Sequence, residues 1–349
     1  MRRIGLLTSG GDTPGMNAAI QAVVRTAKCN GIQIMGVTKG YAGLIEGRLA
    51  EMRSKEVMNI NNKGGTILKT ARCEEMRTPE GQEKALKVLK AFGCEGLVVI
   101  GGDGSFKGAR TLSHMGMPTI GLPGTIDNDL AYTDYTIGFD TALNTACECI
   151  NRVRETSDSH ERASLITVMG RNCGDIALHT AFACGAEMVM VPEIPWSIEE
   201  IAERVKWGVL RGKASMIIVF AEGAMQSQTA DIGKICAEHE KLNHISTEHL
   251  TSSQIAEIIE VLSGHETRAT VLGYIQRGGS PSGRDRILDG RLGSRAVELL
   301  RDDQGGLAVG ERGNRIIEVP LSDVQIGEHA ADTEIADLIN VMAVMTKYK

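Results

Sequence analysis

Along the whole chain a short apolar run is followed by a glycine-bearing turn and then by a stretch with helical periodicity, and this repeat restricts the fold more than any other feature. The first instance reads "RRIGLLT", "SGGDTPGMN" and "AAIQAVVRTAKC", and "IQIMGVTKG" comes next. Then "EKALKVLKAF" leads to "GLVVI" and "GGDGSFKGARTL", "PTIGL" runs into "PGTIDND", and "TDYTIGFDTALNTACECINRVRETSDSH" is a loop opening into a long amphipathic helix. The second half repeats the grammar with "ASLITVMGR", "NCGDIALHTAFACG", "EMVMV", "IEEIAERVKWGVLRGK" and "SMIIVFAEG". Strands alternating with helices in this way specify α/β layering, here two Rossmann-like three-layer domains with largely parallel sheets. The more polar stretch 223–267 reads as a surface excursion of two helices around a Ser/Thr/His-rich connection. After "ILDGRLGSRAVELL", another helix, the sequence closes with a short strand and a helical tail, "TEIADLINVMAVMTKYK".

A chain of 349 residues, 42% of them hydrophobic, can bury a core large enough for two domains. Eight scattered cysteines with no CxxC spacing point to reduced thiols and not to zinc. The opening "MRRIGLLTSGGDTPG" is too short and too glycine-broken for a signal segment, and no apolar run approaches about 18 residues, so a cytoplasmic protein with no membrane partner is expected. A net charge of -6 with 3% aromatic residues favours no nucleic-acid partner. Any anion must be held by local clusters.

Ligands of open α/β sheets sit beyond the carboxyl ends of the strands. Here those positions carry Gly10, Gly11, Asp12 and Gly15 after the first strand, and Gly101, Gly102, Asp103, Gly104 and Ser105 after "VVI". Glycine loops let backbone N–H groups approach a phosphate at a helix N-terminus, although each loop alone reads equally as a tight, capped turn. Neither is a Walker A loop or GxGxxG. In "LPGTIDND", an extended backbone would put Thr125, Asp127 and Asp129 on one face, about 6.6 Å apart. A hydroxyl and two carboxylates in a row suit magnesium-assisted phosphoryl transfer; an Asx-turn that only satisfies backbone amides is the alternative. Arg72, Arg162, Arg171, Arg268 and Arg277 offer guanidinium forks to phosphate oxygens, or are solvated surface charges. Glu222 could accept from sugar hydroxyls or form an ion pair, and Met169 reads as core or pocket wall.

Taken in order, "GGDTPGMNA", "GGDGS", "PGTIDND", "MGRNCGDIA", "FAEG" and "ETRATVLGYIQRGG" resemble the phosphofructokinase family across residues 9–282. The resemblance implies ATP as co-substrate, Mg2+, and fructose 6-phosphate as acceptor. It implies Asp127 as the base for the sugar hydroxyl, Thr125 positioning the transferred group, Asp103 as the magnesium carboxylate and Asp129 supporting it. Gly11, Arg72, Cys73, Gly102, Asp103, Gly104 and Ser105 would line the nucleotide site, with Arg72 and Arg171 stabilising charge in transfer. The sugar phosphate would be held by Thr125, Ile126, Asp127, Met169, Gly170, Arg171, Glu222, Tyr274 and Arg277, together with Arg162 and Arg268 from a neighbouring subunit of a homotetramer. The implied domains are a nucleotide domain, 1–138 with about 276–326, a sugar-phosphate domain, 139–275, and a helical tail, 327–349.

Pyrophosphate users of this family typically carry an acidic residue where this chain has Gly104 and a lysine where it has Gly124, so ATP is the expected donor. Tyr274 stands where many bacterial relatives have histidine, so the contact to the sugar 6-phosphate becomes a neutral hydroxyl one. Arg25, Arg154, Glu187, Arg211 and Lys213 match the family's effector cluster, whereas Gln21, Ser54 and Ala214 replace residues that are often basic. Weak or altered allostery is expected.

Overall fold

The computed structural model describes residues 1–226, 229–246, 248–324 and 332–343. In chain order its elements are β1 (Arg3–Ser9), α1 (Met16–Cys29), β2 (Gln33–Val37), α2 (Gly40–Ile45), β3 (Leu49–Met52), α3 (Pro79–Ala91), β4 (Gly96–Gly101), α4 (Asp103–His114), β5 (Thr119–Pro123), α5 (Phe139–His160), β6 (Ala163–Val168) and α6 (Asp175–Ala183). Then follow β7 (Met188–Met190), α7 (Ile198–Leu210), β8 (Met216–Ala221), α8 (Thr229–Glu238), α9 (Ser252–Ser263), β9 (Thr267–Val271), α10 (Gly283–Arg301), β10 (Leu307–Arg312), β11 (Arg315–Pro320) and α11 (Thr333–Met342). The chain forms two compact units, Met1–Ala142 with Arg277–Glu328 and Leu143–Gln276 with His329–Lys349.

The first unit is built on a seven-stranded sheet of order β11-β10-β5-β4-β1-β2-β3, parallel through its centre, with antiparallel strands at its edges. Alternation along β1 and β4 feeds two cores. Ile4, Leu6, Val98 and Ile100 pack with α1 and α10, whereas Leu7, Leu97 and Val99 pack with α2, α3 and α4. Both sheet faces are therefore covered, which is why the central strands read as continuous apolar runs. Helix starts follow local chemistry: the Thr78 hydroxyl accepts from Gly81 N–H with Pro79 in the first turn of α3, and Ser282 accepts from Asp285 N–H at the start of α10.

Register decides where the loops emerge. Ser9 pairs with Gly101 and Gly101 with Pro123, so the segments after β1, β4 and β5 leave the sheet side by side. The chain's order also reverses between β1 and β4, the switch point at which open α/β sheets bind ligands.

The second unit carries a four-stranded parallel sheet of order β7-β8-β6-β9, surrounded by α6, α7, α9 and α11. Val168 pairs with Ala221 and Thr167 with Val271, so here too three exits are level.

Three expectations are corrected. The stretch "LPGTIDND" is not extended throughout: β5 ends at Pro123, the backbone bends at Ile126 and Asp127, and Asn128 is left-handed at φ 53°. Strand alternation therefore does not order the three polar side chains. The 223–267 stretch is not a surface excursion as a whole, because α9 buries Ile255, Ile258 and Ile259 and packs on α7, β6 and β9. Spacing of those isoleucines on one helical face outweighs the polar average. Finally, the closing strand is an antiparallel pair, β10 with β11. The tail segment 344–349 lies outside the described residues.

Candidate active site

In the first unit the three level exits build one surface. Thr125 and Asp127 are buried, at 8% and 3% exposure, and the Thr125 hydroxyl oxygen accepts the Asp127 N–H at 3.2 Å. Thr125 has thereby used an acceptor and keeps its own O–H to donate elsewhere. The Gly124 N–H donates to the Gly101 carbonyl, and a side chain at Gly102 would come within 3.4 Å of Thr125, so this turn and the "GGDGS" loop are in contact. Ile126 is fully buried, backbone included. Asp129 is half-buried.

Asp103 opens α4, where the helix dipole favours a carboxylate. Its present partner is the exposed Lys107 at 3.2 Å, a contact that costs little to exchange. Ser105 is buried one residue beyond the open Gly104. No group of three or more His, Cys, Asp or Glu able to hold a metal exists among the described residues. Two hard carboxylates on adjoining loops nonetheless fit magnesium, which takes one or two protein carboxylates and completes its shell with phosphate oxygens and water.

The Gly10–Gly15 turn is held from two directions. Thr70 donates its hydroxyl to the Gly10 carbonyl at 2.6 Å, which brings the irregular segment with the exposed Arg72 and half-buried Cys73 to the loop. Arg277 donates to the Asp12 carbonyl at 3.3 Å, and its Nη1 lies 2.6 Å from where a side chain on Gly11 would begin. A side chain at position 11 would therefore have to displace the Arg277 guanidinium from beside the loop.

Within the second unit, Arg171 sits after β6 at the left-handed φ of 54°, and its N–H donates to the Glu222 carboxylate after β8 at 2.9 Å. Gly170 precedes it at φ 138°, and a side chain on Gly223 would collide with the Arg171 carbonyl. Met169 is half-buried, with its N–H 3.4 Å from the Oε1 of Gln276. Arg162, just before β6, and Arg268, on β9, are brought together by Glu266, which lies 3.9 Å from the first and 3.1 Å from the second. Tyr274 is 83% exposed on the turn Gly273–Arg277.

Sequence reasoning missed three residues that shape these surfaces. Asn128 carries the left-handed bend between the two aspartates. Gln276 is fully buried and ties the Gly273 carbonyl to Met169. Asp285, 1% exposed, accepts from Gly138 N–H and Thr141 N–H and so caps α5 from α10. A left-handed turn was legible in an Asn following Asp; nothing in the sequence marks the other two.

Of the effector-type residues, Lys213 pairs with Glu187 at 3.0 Å and donates to the Ala343 carbonyl at the end of α11. Arg154 donates to the Cys184 and Gly185 carbonyls, and Arg211 stacks over Trp207. Arg25, in the first unit, is exposed on α1.

Parallel strands that end level at glycine-rich, acid-bearing loops beside a topological switch define a doubly wound α/β protein built to handle phosphate. Residues 3–300 match the family model described as Phosphofructokinase, and the chain belongs to the phosphofructokinase family. It is 50% identical over 344 residues to the ATP-dependent 6-phosphofructokinase of Alkaliphilus metalliredigens (strain QYMF), covering 99% of this chain and 100% of that one. Against the ATP-dependent 6-phosphofructokinase of Clostridium botulinum (strain Hall) identity is 49% over 343 residues, with 98% and 100% covered. The solved structure of phosphofructokinase from Saccharomyces cerevisiae superposes with a TM-score of 0.80 at 32% identity, covering 99% of this chain and 46% of the yeast chain.

Proposed function

We propose that this chain transfers the γ-phosphate of ATP to the 1-hydroxyl of fructose 6-phosphate, giving fructose 1,6-bisphosphate and ADP. The observation that carries the reading is the level emergence of three loops at a switch point, two of them glycine-rich and the third presenting a buried acid, Asp127. Asp127 accepts the proton of the sugar hydroxyl as that oxygen attacks the γ-phosphorus in line. Thr125, with its hydroxyl hydrogen still available, donates to the transferred group. Backbone N–H groups of Gly11 and Gly102–Gly104 cradle the polyphosphate beside Ser105, and Arg72 and Arg171 offset charge that grows as the bond to ADP breaks. Asp103 and Asp129 would hold magnesium, which would supply neutralisation of phosphate charge.

We assign the first unit to the nucleotide and the second to the sugar phosphate. Met169, Gly170, Arg171, Glu222, Tyr274 and Arg277 hold the sugar. Arg162, just before β6, and Arg268, on β9, reach as a pair the 6-phosphate of a neighbouring copy in a homotetramer. A cytoplasmic setting agrees with eight free cysteines and with the absence, among the described residues, of any helix long and apolar enough to cross a membrane.

Two glycines support ATP over pyrophosphate. At Gly104 nothing lies within 4 Å of a would-be side chain, so the space an acid would fill is open to the rest of a nucleotide. At Gly124 a side chain would meet Met16, Ile100 and Gly101 at 3.0 Å, and no ammonium is supplied for a leaving phosphate. Coupled assays with each donor test this: turnover is expected with MgATP and little with pyrophosphate, and activity confined to pyrophosphate would overturn it.

A further inference from the structure

Asn128 lies between the two proposed functional carboxylates yet touches neither the role of base nor that of metal ligand. We propose that it is a positioning residue for Asp127, acting through a buried clamp on the loop that follows. The proposal rests on the reading of Asp127 as the base.

The clamp is explicit in the geometry. Asn128 is 3% exposed and left-handed, a conformation that is unfavourable for most L-residues and that Asn tolerates through local hydrogen bonding. Its Oδ1 accepts the Thr136 N–H at 3.0 Å and its Nδ2 donates to the Asp134 carbonyl at 3.3 Å. The loop from 128 to 136 is thus closed on its own first side chain. Beyond it the Ile137 N–H returns to the Pro123 carbonyl at 2.8 Å, and the Gly138 N–H is held by the buried Asp285 of α10 at 3.1 Å. On the other side, the Asp127 N–H is fixed by Thr125.

Asp127 is therefore pinned on both flanks, by Thr125 before it and by the Asn128 amide after it, with the second pin anchored to a core helix. A base must lie within hydrogen-bond reach of one hydroxyl in one orientation, and small misplacements are expensive in rate. Loss of the amide leaves the backbone bend free to relax.

A double-mutant cycle tests the coupling. Asn128→Gly keeps the left-handed backbone and deletes both hydrogen bonds. With the fold verified by thermal melting, kcat is expected to fall about 10- to 100-fold with the KM for fructose 6-phosphate and ATP nearly unchanged. In an Asp127→Ser background the same change is expected to have almost no further effect on kcat, because the group it positions is gone. Losses that multiply in the double variant, or a single Asn128→Gly enzyme with parental kcat, would overturn the proposal. If Asp127→Ser itself retained full kcat, the base assignment would fail instead. Should the glycine variant not fold, Asn128→Ser, which removes the amide without adding a charge beside Asp127 and Asp129, enters the same cycle with the same criterion.

Discussion

The Thr125 hydroxyl accepts the backbone N–H of Asp127 at 3.2 Å inside a turn where both residues are buried. One oxygen thus fixes the backbone of the proposed base while its hydrogen remains for the transferred phosphoryl group. Thr125→Ser is expected to keep most of kcat, and Thr125→Ala to lose about 10²-fold, the usual cost of one donor to developing charge. Steady-state kinetics at saturating substrates checks this; an alanine variant with parental kcat would remove Thr125 from the chemistry.

Two buried acids make stability depend on pH. Burial pushes the Asp289 carboxyl well above its ordinary range, reinforced by the nearby Asp285, and neither Asp289 oxygen has a hydrogen-bond partner among the described residues. Asp285 is pushed up to about 6 by burial, against the hydrogen bonds it accepts from Thr141 and Gly138. Each folded-state pKa lies above the unfolded value, so the folded chain holds protons the unfolded chain releases. The associated stability is full below about pH 4 and is lost as pH rises through the folded values. Asp289→Asn is expected to match the parent near pH 4 and to melt progressively higher than it toward pH 8. A difference in Tm that shrinks over that range would contradict the account.

The unit-two face that carries Lys213 is already occupied from within the chain. Lys213 is engaged by Glu187 and the Ala343 carbonyl, and Arg154 by two backbone carbonyls. In the first unit, separately, Gln21 donates to the Val57 carbonyl at 2.6 Å. Each charge-assisted contact to an anionic effector is worth about 1.5–3 kcal/mol, and several are absent or diverted. ADP or phosphoenolpyruvate is expected to shift the fructose 6-phosphate saturation curve only weakly. A large, saturable shift would refute this.

Much of the fold was legible because buried parallel strands write themselves as apolar runs and each exit carries glycine and acid. The local turn at 124–129 was not, since alternation assumes an extended chain and one left-handed Asn128 cancels it. Partners such as Asn128 with Thr136, Gly138 with Asp285 and Met169 with Gln276 are joined by loop closure and helix packing, which leave no period in the sequence. Burial of α9 was present in the spacing of Ile255, Ile258 and Ile259 and was masked by the polar residues around them.

Asp127 as the base that takes the sugar proton is the claim on which the mechanism turns, and replacing it with serine probes it most directly. Asp127→Ser, assayed with MgATP and fructose 6-phosphate, is expected to lose at least about 10² in kcat while KM for both substrates stays near the parental values. A variant that turns over at the parental rate would contradict the account.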